Sequence, residues 1–201
     1  MNLLNSVDKI VIATHNKHKA GEIQAVLSDL DVKLLTLDDF PMIGEIPETG
    51  KTLVENSKIK AWAVHKATGL STIADDTGLE VDILNGEPGV YSARYAGEDA
   101  SYADNVNKLL KEMQDVGPED RTATFRTVIT CILNGKEIIA EGNVPGLIST
   151  ESFGTNGFGY DPVFWIPDLK RTYAQLSDEE KNNVSHRGLA LKNLRKILGE
   201  Q

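Results

Sequence analysis

The chain of 201 residues contains one cysteine, so no disulfide can form within it. Cys131 lies in an apolar run, which predicts a buried, inert thiol rather than a nucleophile. No apolar run reaches membrane-spanning length. Met1 to Asp8 show no charged stretch followed by an apolar one, so no secretion signal is read there. Basic residues are in deficit: 21 Lys and Arg face 30 Asp and Glu, a formal charge of −9. Such a surface repels a polyanion, which disfavours broad nucleic-acid binding but leaves room for a small anion where basic residues gather. No Ser/His/Asp order, HExxH motif or Walker A loop is present, so no covalent mechanism is indicated. These absences predict a cytoplasmic protein with neither a membrane nor a nucleic-acid partner.

What is present is ordinary globular material. The length fits one large domain or two small lobes, and 40% hydrophobic content allows a sizeable core. Lys9 to Ala13 read as a buried strand, and Thr14 to Lys19 as the loop after it. Ile23, Val26, Leu27 and Leu30 recur at helical spacing. Leu34 and Leu35 mark a short strand. Lys51 to Thr68 read as a helix with Leu53, Ser57, Ala61 and Val64 on one stripe, stopped by Gly69. Ser71 to Ala74 read as a short strand ending in a turn, and Leu79 to Leu84 as another strand. Ser101 to Met113 read as a helix. Apolar alternation from Ala123 to Leu133 predicts a long strand. Asn134-Gly135 then predicts a hairpin returning along Lys136 to Val144. Pro162 to Ile166 follow as a strand. Ser177 and Glu180 form a capping box. Ser185 caps a last helix whose apolar stripe is Ala190, Leu191, Leu194, Ile197 and Leu198. Helices interleaved with strands and a late hairpin predict an α/β protein with a mixed sheet. No repeat, linker or domain boundary is visible.

Four constellations carry chemistry. The first is Thr14-His15-Asn16-Lys17-His18-Lys19, between a strand and a helix. Its hydroxyl, amide, ammonium and backbone N–H groups suit phosphate oxygens; an ordinary connection capped by Asn16 is the even alternative. The second joins Glu48-Thr49-Gly50 to Asp75-Asp76. Adjacent carboxylates at a strand end repel, and a divalent cation such as Mg²⁺ suits them, although that stretch alone also fits a solvated turn. Lys60 reads as a solvated lysine on spacing alone. The third is Gly157-Phe158-Gly159-Tyr160-Asp161, where glycines leave a ring free to stack on a planar ligand and Asp161 accepts from ring N–H groups. The alternative tucks the aromatics inward, Tyr160 more than Phe158. The fourth is Lys181 with His186 and Arg187. Two basic residues in a helix first turn oppose the dipole, which hints at a functional reason. Arg187 is a fork suited to a base carbonyl or a phosphate.

In order along the chain, these segments closely resemble the noncanonical purine nucleoside triphosphate pyrophosphatases, the inosine triphosphatase (Ham1-like) family. The resemblance runs nearly end to end. It rests on Thr14-x-Asn16-x-x-Lys19, Glu48-Thr49-Gly50, Glu55-Asn56, Lys58-x-Lys60-Ala61, Ala74 to Leu79, Pro88 to Tyr95, Gly157 to Pro162 and Ser185 to Gly188. It implies a single domain over 1–201, an elongated mixed sheet with flanking helices and two lobes around a central cleft. It implies Mg²⁺-dependent hydrolysis of ITP, dITP and XTP to the monophosphate and pyrophosphate, and a homodimer. Thr14 to Lys19 match the phosphate loop. Asp76 matches the proton acceptor and metal ligand, with Glu48 and Asp75 near the metal. Thr77, Phe158, Gly159, Tyr160, Asp161, Lys181, His186 and Arg187 match substrate contacts, and Lys19 and Lys60 are assigned to the departing pyrophosphate. A Maf-type pyrophosphatase, which lacks the Ser185-His186-Arg187 signature, and a non-catalytic nucleotide sensor are the alternative readings.

Overall fold

A computed structural model describes residue 4 and residues 7–199. The remainder lies outside the described residues, and with it most of the segment read for a secretion signal. Eight strands are described: β1 Lys9–Ile12, β2 Lys33–Thr36, β3 Ser71–Val81, β4 Pro88–Gly89, β5 Thr122–Leu133, β6 Lys136–Ile148, β7 Phe164–Ile166 and β8 Arg171–Thr172. Five α-helices accompany them: α1 Lys17–Leu27, α2 Leu53–Thr68, α3 Tyr102–Glu112, α4 Asp178–Val184 and α5 His186–Leu198. The strands form one open sheet in the order β2-β1-β3-β5-β6-β7-β8, with β4 paired to β3. β1 pairs parallel with β2 and β3, whereas β3–β4, β6–β7 and β7–β8 are antiparallel. The fold is therefore the expected α/β class with a mixed sheet. No helix among the described residues is long and apolar enough to cross a membrane.

The chain divides into two compact units, each assembled from separated stretches. The first takes residues up to Asp76, Thr127–Gly142 and the chain from Arg187 onward; the second takes Thr77–Arg126 and Asn143–His186. Interleaving of this kind leaves no linker, which is why no boundary shows in the sequence.

In the first unit, side-chain alternation sorts the strands onto two faces. Ile10, Ile12, Ile73, Ile129 and Cys131 join Ile23 and Leu27 of α1 and Leu191 and Leu194 of α5. Val11, Ala13, Ala74 and Ile132 join Ala61 and Val64 of α2. Both faces are covered, so the central strands bury apolar side chains on each side. Burial pushes the Cys131 thiol up to about 12, as an inert thiol requires. α2 starts on a Thr52–Glu55 capping box and stops at Gly69, whose φ of 70° is left-handed. At the β5–β6 hairpin Asn134 and Gly135 both take positive φ, as their sequence predicts.

The second unit is held by an aromatic cluster and by buried polar ties. Phe125 packs edge-on to Phe164 at 4.7 Å. Arg121 donates to the carbonyls of Ile148, Met113 and Ser149 at 2.6, 2.7 and 2.9 Å. The Pro88–Tyr95 segment is a brace. Ser92 Oγ accepts from Leu79 N at 2.9 Å and donates to Gly89 O at 2.6 Å, while Tyr160 Oη donates to Ser92 O at 3.0 Å.

Several expectations are corrected. Ser71–Val81 is one strand, not two strands and a turn. Asp, Thr and Gly favour turns in isolation; burial and ion pairing override that preference here. α1 begins at Lys17, so Lys17, His18 and Lys19 are helical rather than loop. β6 runs on to Ile148, β7 is shorter than read, and Ile197 is 49% exposed rather than part of the α5 stripe.

Candidate active site

The position of the two aspartates follows from strand parity. Asp75 shares the face of Ile73, toward α1 and α5, and Asp76 shares the face of Ala74, toward α2. Their partners separate accordingly. Arg187 of α5 donates Nε and Nη2 to Asp75 Oδ2 at 3.1 and 2.9 Å, and Lys19 of α1 lies 3.3 Å away. Glu22 of α1 also pairs with Arg187. On the other face Lys60 of α2 donates Nζ to Glu48 Oε1 at 2.6 Å and to Asp76 Oδ1 at 3.0 Å.

These sets have opposite electrostatic consequences. Burial alone would raise the Asp75 carboxyl, but the Lys19 and Arg187 charges overcome it and hold it far below the usual carboxylate range. For Asp76 burial wins: its carboxyl is raised despite the Lys60 ammonium. Lys60 is also raised, because Asp76, Asp75 and Glu48 outweigh its own burial. Lys19 is lowered, chiefly by burial. Asp75 is thus a fixed anion, whereas Asp76 holds a proton more readily than an ordinary aspartate. Lys60, read from spacing as solvated, is only 7% exposed.

A divalent cation can be weighed against this donor set. Among the described residues no three acidic, histidine or cysteine side chains converge into a cage. Glu48, Asp75 and Asp76, expected as one ligand set, are divided in this structure: neighbours on a strand point to opposite faces, and Asp75 pairs with Arg187 and Lys19. Mg²⁺ needs only one or two protein carboxylates when phosphates and water complete its shell. Asp76 Oδ2 is buried and has no hydrogen-bond partner among the described residues. Asp76 with Glu48 fits the ion in that two-carboxylate form.

The Thr14–Lys19 segment is more self-contained than expected. Asn16 caps α1, its Oδ1 accepting from His18 N and Lys19 N at 3.0 and 3.2 Å. Thr14 Oγ1 accepts from Asn16 N at 3.1 Å. The backbone N–H groups of Asn16, His18 and Lys19 are thereby used within the segment. Lys17, His18 and His15 are exposed, and His15 Nε2 donates to Gly44 O at 3.1 Å.

In the second unit the glycine-rich loop folds around Asp161. Asp161 Oδ2 accepts from Phe158 N at 2.8 Å and from Lys181 Nζ at 2.6 Å, so it braces the loop rather than offering itself to a ligand. A Cβ on Gly157 would lie 2.0 Å from that oxygen, and φ there is +73°, so only glycine fits. Tyr160 is buried, whereas Phe158 and Gly159 are half-buried. Lys181 Nζ stands 4.7 Å from the centre of the Phe158 ring. Phe158 lines a pocket of about 330 Å³ with Tyr102, Val106, Asn156 and Pro162. Thr77 is half-buried at the first position of this unit in β3. His186 is buried and stacks on Phe125 at 4.3 Å and 9°. Arg187, expected as a base contact, is committed to Asp75 and Glu22. Glu22 was missed in the sequence, although it shares an i,i+3 face with Lys19.

Fold and site together define an α/β protein in which buried lysines and carboxylates meet at the middle of one strand. The chain belongs to the Ham1 family, whose model matches residues 10–197. A Geobacter sulfurreducens protein named dITP/XTP pyrophosphatase is 49% identical over 194 residues, covering 96% of this chain and 98% of its own. A Listeria innocua protein of the same name is 47% identical over 195 residues, covering 96% of each chain. The solved structure of a HAM1 protein from Coxiella burnetii superposes with a TM-score of 0.88 at 42% identity, covering 97% of this chain and all of the other.

Proposed function

We propose that this protein is a nucleoside-triphosphate pyrophosphatase that hydrolyses ITP, dITP and XTP to the monophosphate and pyrophosphate. The observation that carries the reading is Asp76. It is a buried mid-strand carboxylate raised by desolvation, with Oδ1 held by Lys60 and Oδ2 without a partner among the described residues. A carboxylate so placed holds a water and takes its proton. The names of the relatives, dITP/XTP pyrophosphatase, supply the substrate class.

The water oxygen bonds to the α-phosphorus as its proton passes to Asp76. The bond from that phosphorus to the bridging oxygen breaks, and pyrophosphate leaves with the electron pair. Lys19 and Lys60 offset the charge gathering on the leaving group. Mg²⁺, when bound by Asp76 and Glu48 together with the triphosphate, neutralises phosphate charge. Thr14, His15, Asn16, Lys17 and His18 present side chains to the phosphates. Phe158 offers a half-buried ring for the purine, beside the Lys181 ammonium, with Thr77, Gly159, Tyr160, Asp161 and His186 shaping or bracing that end. A 6-keto purine presents an acceptor to an ammonium, whereas a 6-amino purine presents a donor. One unmade buried hydrogen bond costs about 1–3 kcal/mol, so ATP is rejected. Arg187 acts by fixing Asp75 rather than by touching the base. The reading also includes a homodimer resident in the cytoplasm, and light scattering on the purified protein tests the dimer.

The test is pyrophosphate release with Mg²⁺ from ITP, XTP, dITP, GTP, ATP and UTP. Release from ITP, dITP and XTP well above ATP is expected. Release from UTP but not ITP indicates the Maf-type activity, and ITP binding without turnover indicates a sensor; either result removes the proposal.

A further inference from the structure

Glu55 and Asn56 form a separate hydrogen-bonded device at the start of α2. Both residues lie in the first turns of α2 and reach back to the segment that carries Glu48. Glu55 Oε2 accepts from Lys51 N at 2.6 Å and from Thr52 N at 3.2 Å. Asn56 Oδ1 accepts from Gly50 N at 2.8 Å. Lys60, one turn further along the same face, holds Glu48 itself at 2.6 Å. The segment from Glu48 to Thr52 is thus pinned to α2 at three successive points.

Asn56 is the costly member. It is fully buried, and its Nδ2 has no hydrogen-bond partner among the described residues. An unsatisfied buried donor is a penalty, so the oxygen is the working atom. A leucine there strands the Gly50 N–H, and an aspartate adds a buried charge to the Glu48 and Asp76 cluster. The partner position is equally restricted. A Cβ on Gly50 would meet Glu55 Cβ at 2.6 Å, Asn56 Oδ1 at 2.7 Å and Asn56 N at 3.0 Å. Two of these three atoms are backbone or backbone-proximal and cannot swing aside. The close approach of residue 50 to α2 and the hydrogen bond to Asn56 are one device.

We propose that Asn56 is a positioning residue: through Gly50 it sets the Glu48 carboxylate on Lys60 and hence beside Asp76. This rests on the pyrophosphatase reading for its kinetic consequence, but the contact itself is testable without turnover.

The experiment is a double-mutant cycle of Asn56→Ala and Glu48→Gln, read first by denaturant unfolding and then by kcat and KM for ITP. If Asn56 acts through Glu48, Asn56→Ala lowers kcat about 10-fold or more in the natural chain and less than about 2-fold in the Glu48→Gln chain. The stability losses are likewise less than additive. Additive losses in both readouts overturn the proposal, because they show an Asn56 that supports the fold without setting Glu48. Should Asn56→Ala fail to fold, Gly50→Ala enters the same cycle from the loop side, and the same less-than-additive pattern is expected. If the natural chain hydrolyses none of the nucleotides, the functional reading fails, while the unfolding cycle still decides the positioning contact.

Discussion

At the scale of single residues, Asp75 and Asp76 have the same side chain and opposite titration. Asp75 is lowered by cations and Asp76 is raised by burial. The signs matter for pH. A lowered acid contributes stability that is present above its unfolded pKa, about 3.9, and lost as pH falls toward its folded value. A raised acid does the reverse: it binds its proton more tightly when folded, so its ionisation subtracts stability as pH rises past the unfolded value. Carbon-13 NMR of the side-chain carboxyls in metal-free protein resolves the two. Asp76 is expected to titrate above about 3.9, while Asp75 stays ionised well below it. Lys60→Met removes the ammonium that counteracts burial at Asp76 and moves its titration further upward. An Asp76 titration at or below the ordinary value removes it from the role of base.

Elements explain why those residues differ. Within β3 consecutive side chains face different helices, so the strand distributes one acidic pair between a structural and a chemical task. Unfolding measurements on two substitutions separate them. Asp75→Asn leaves Lys19 against a neutral partner and Arg187 with Glu22 as its remaining carboxylate, and is expected to cost about 3–5 kcal/mol, the range for breaking a buried pair. Asp76→Asn removes a charge that burial disfavours, while Lys60 keeps Glu48. It is expected to leave stability within about 1 kcal/mol and to abolish turnover, since an amide takes no proton. The reverse ordering of stabilities contradicts the assignment of faces. This division was illegible in the sequence. Asp75-Asp76-Thr77-Gly78 has turn chemistry, and only the covering of both sheet faces by α1, α2 and α5 forces it to be strand. By contrast α2, the Asn134-Gly135 hairpin and the Ser177 capping box were legible, because caps, stops and turn residues act locally. Lys60 looked solvated because its partners lie 12 and 16 residues away. Asn56 was visible in a motif, but its bond to Gly50 depends on how residues 48–52 return along the helix.

For the whole molecule the governing quantity is charge. The chain carries −9, and the buried cluster does not reverse the sign locally. Glu22, Glu48, Asp75 and Asp76 give four anions against the three cations Lys19, Lys60 and Arg187. A triphosphate brought to such a place adds repulsion at short range, where salt screens little. Lys19 and Lys60 are each paired with a carboxylate, so they present less net attraction than their number implies. A divalent cation entering with the nucleotide supplies the missing charge. On this charge balance, metal is expected to strengthen substrate binding as well as to serve the chemical step. Calorimetric titration of the natural protein with an ITP analogue carrying methylene in place of the α,β-bridging oxygen, which is not consumed, is the measurement. Affinity is expected to fall at least about 10-fold when EDTA replaces Mg²⁺, the scale of one lost charge interaction in a partly buried site. Equal affinity in the two conditions means that the lysines and the Thr14–Lys19 segment alone hold the triphosphate, and the charge argument fails.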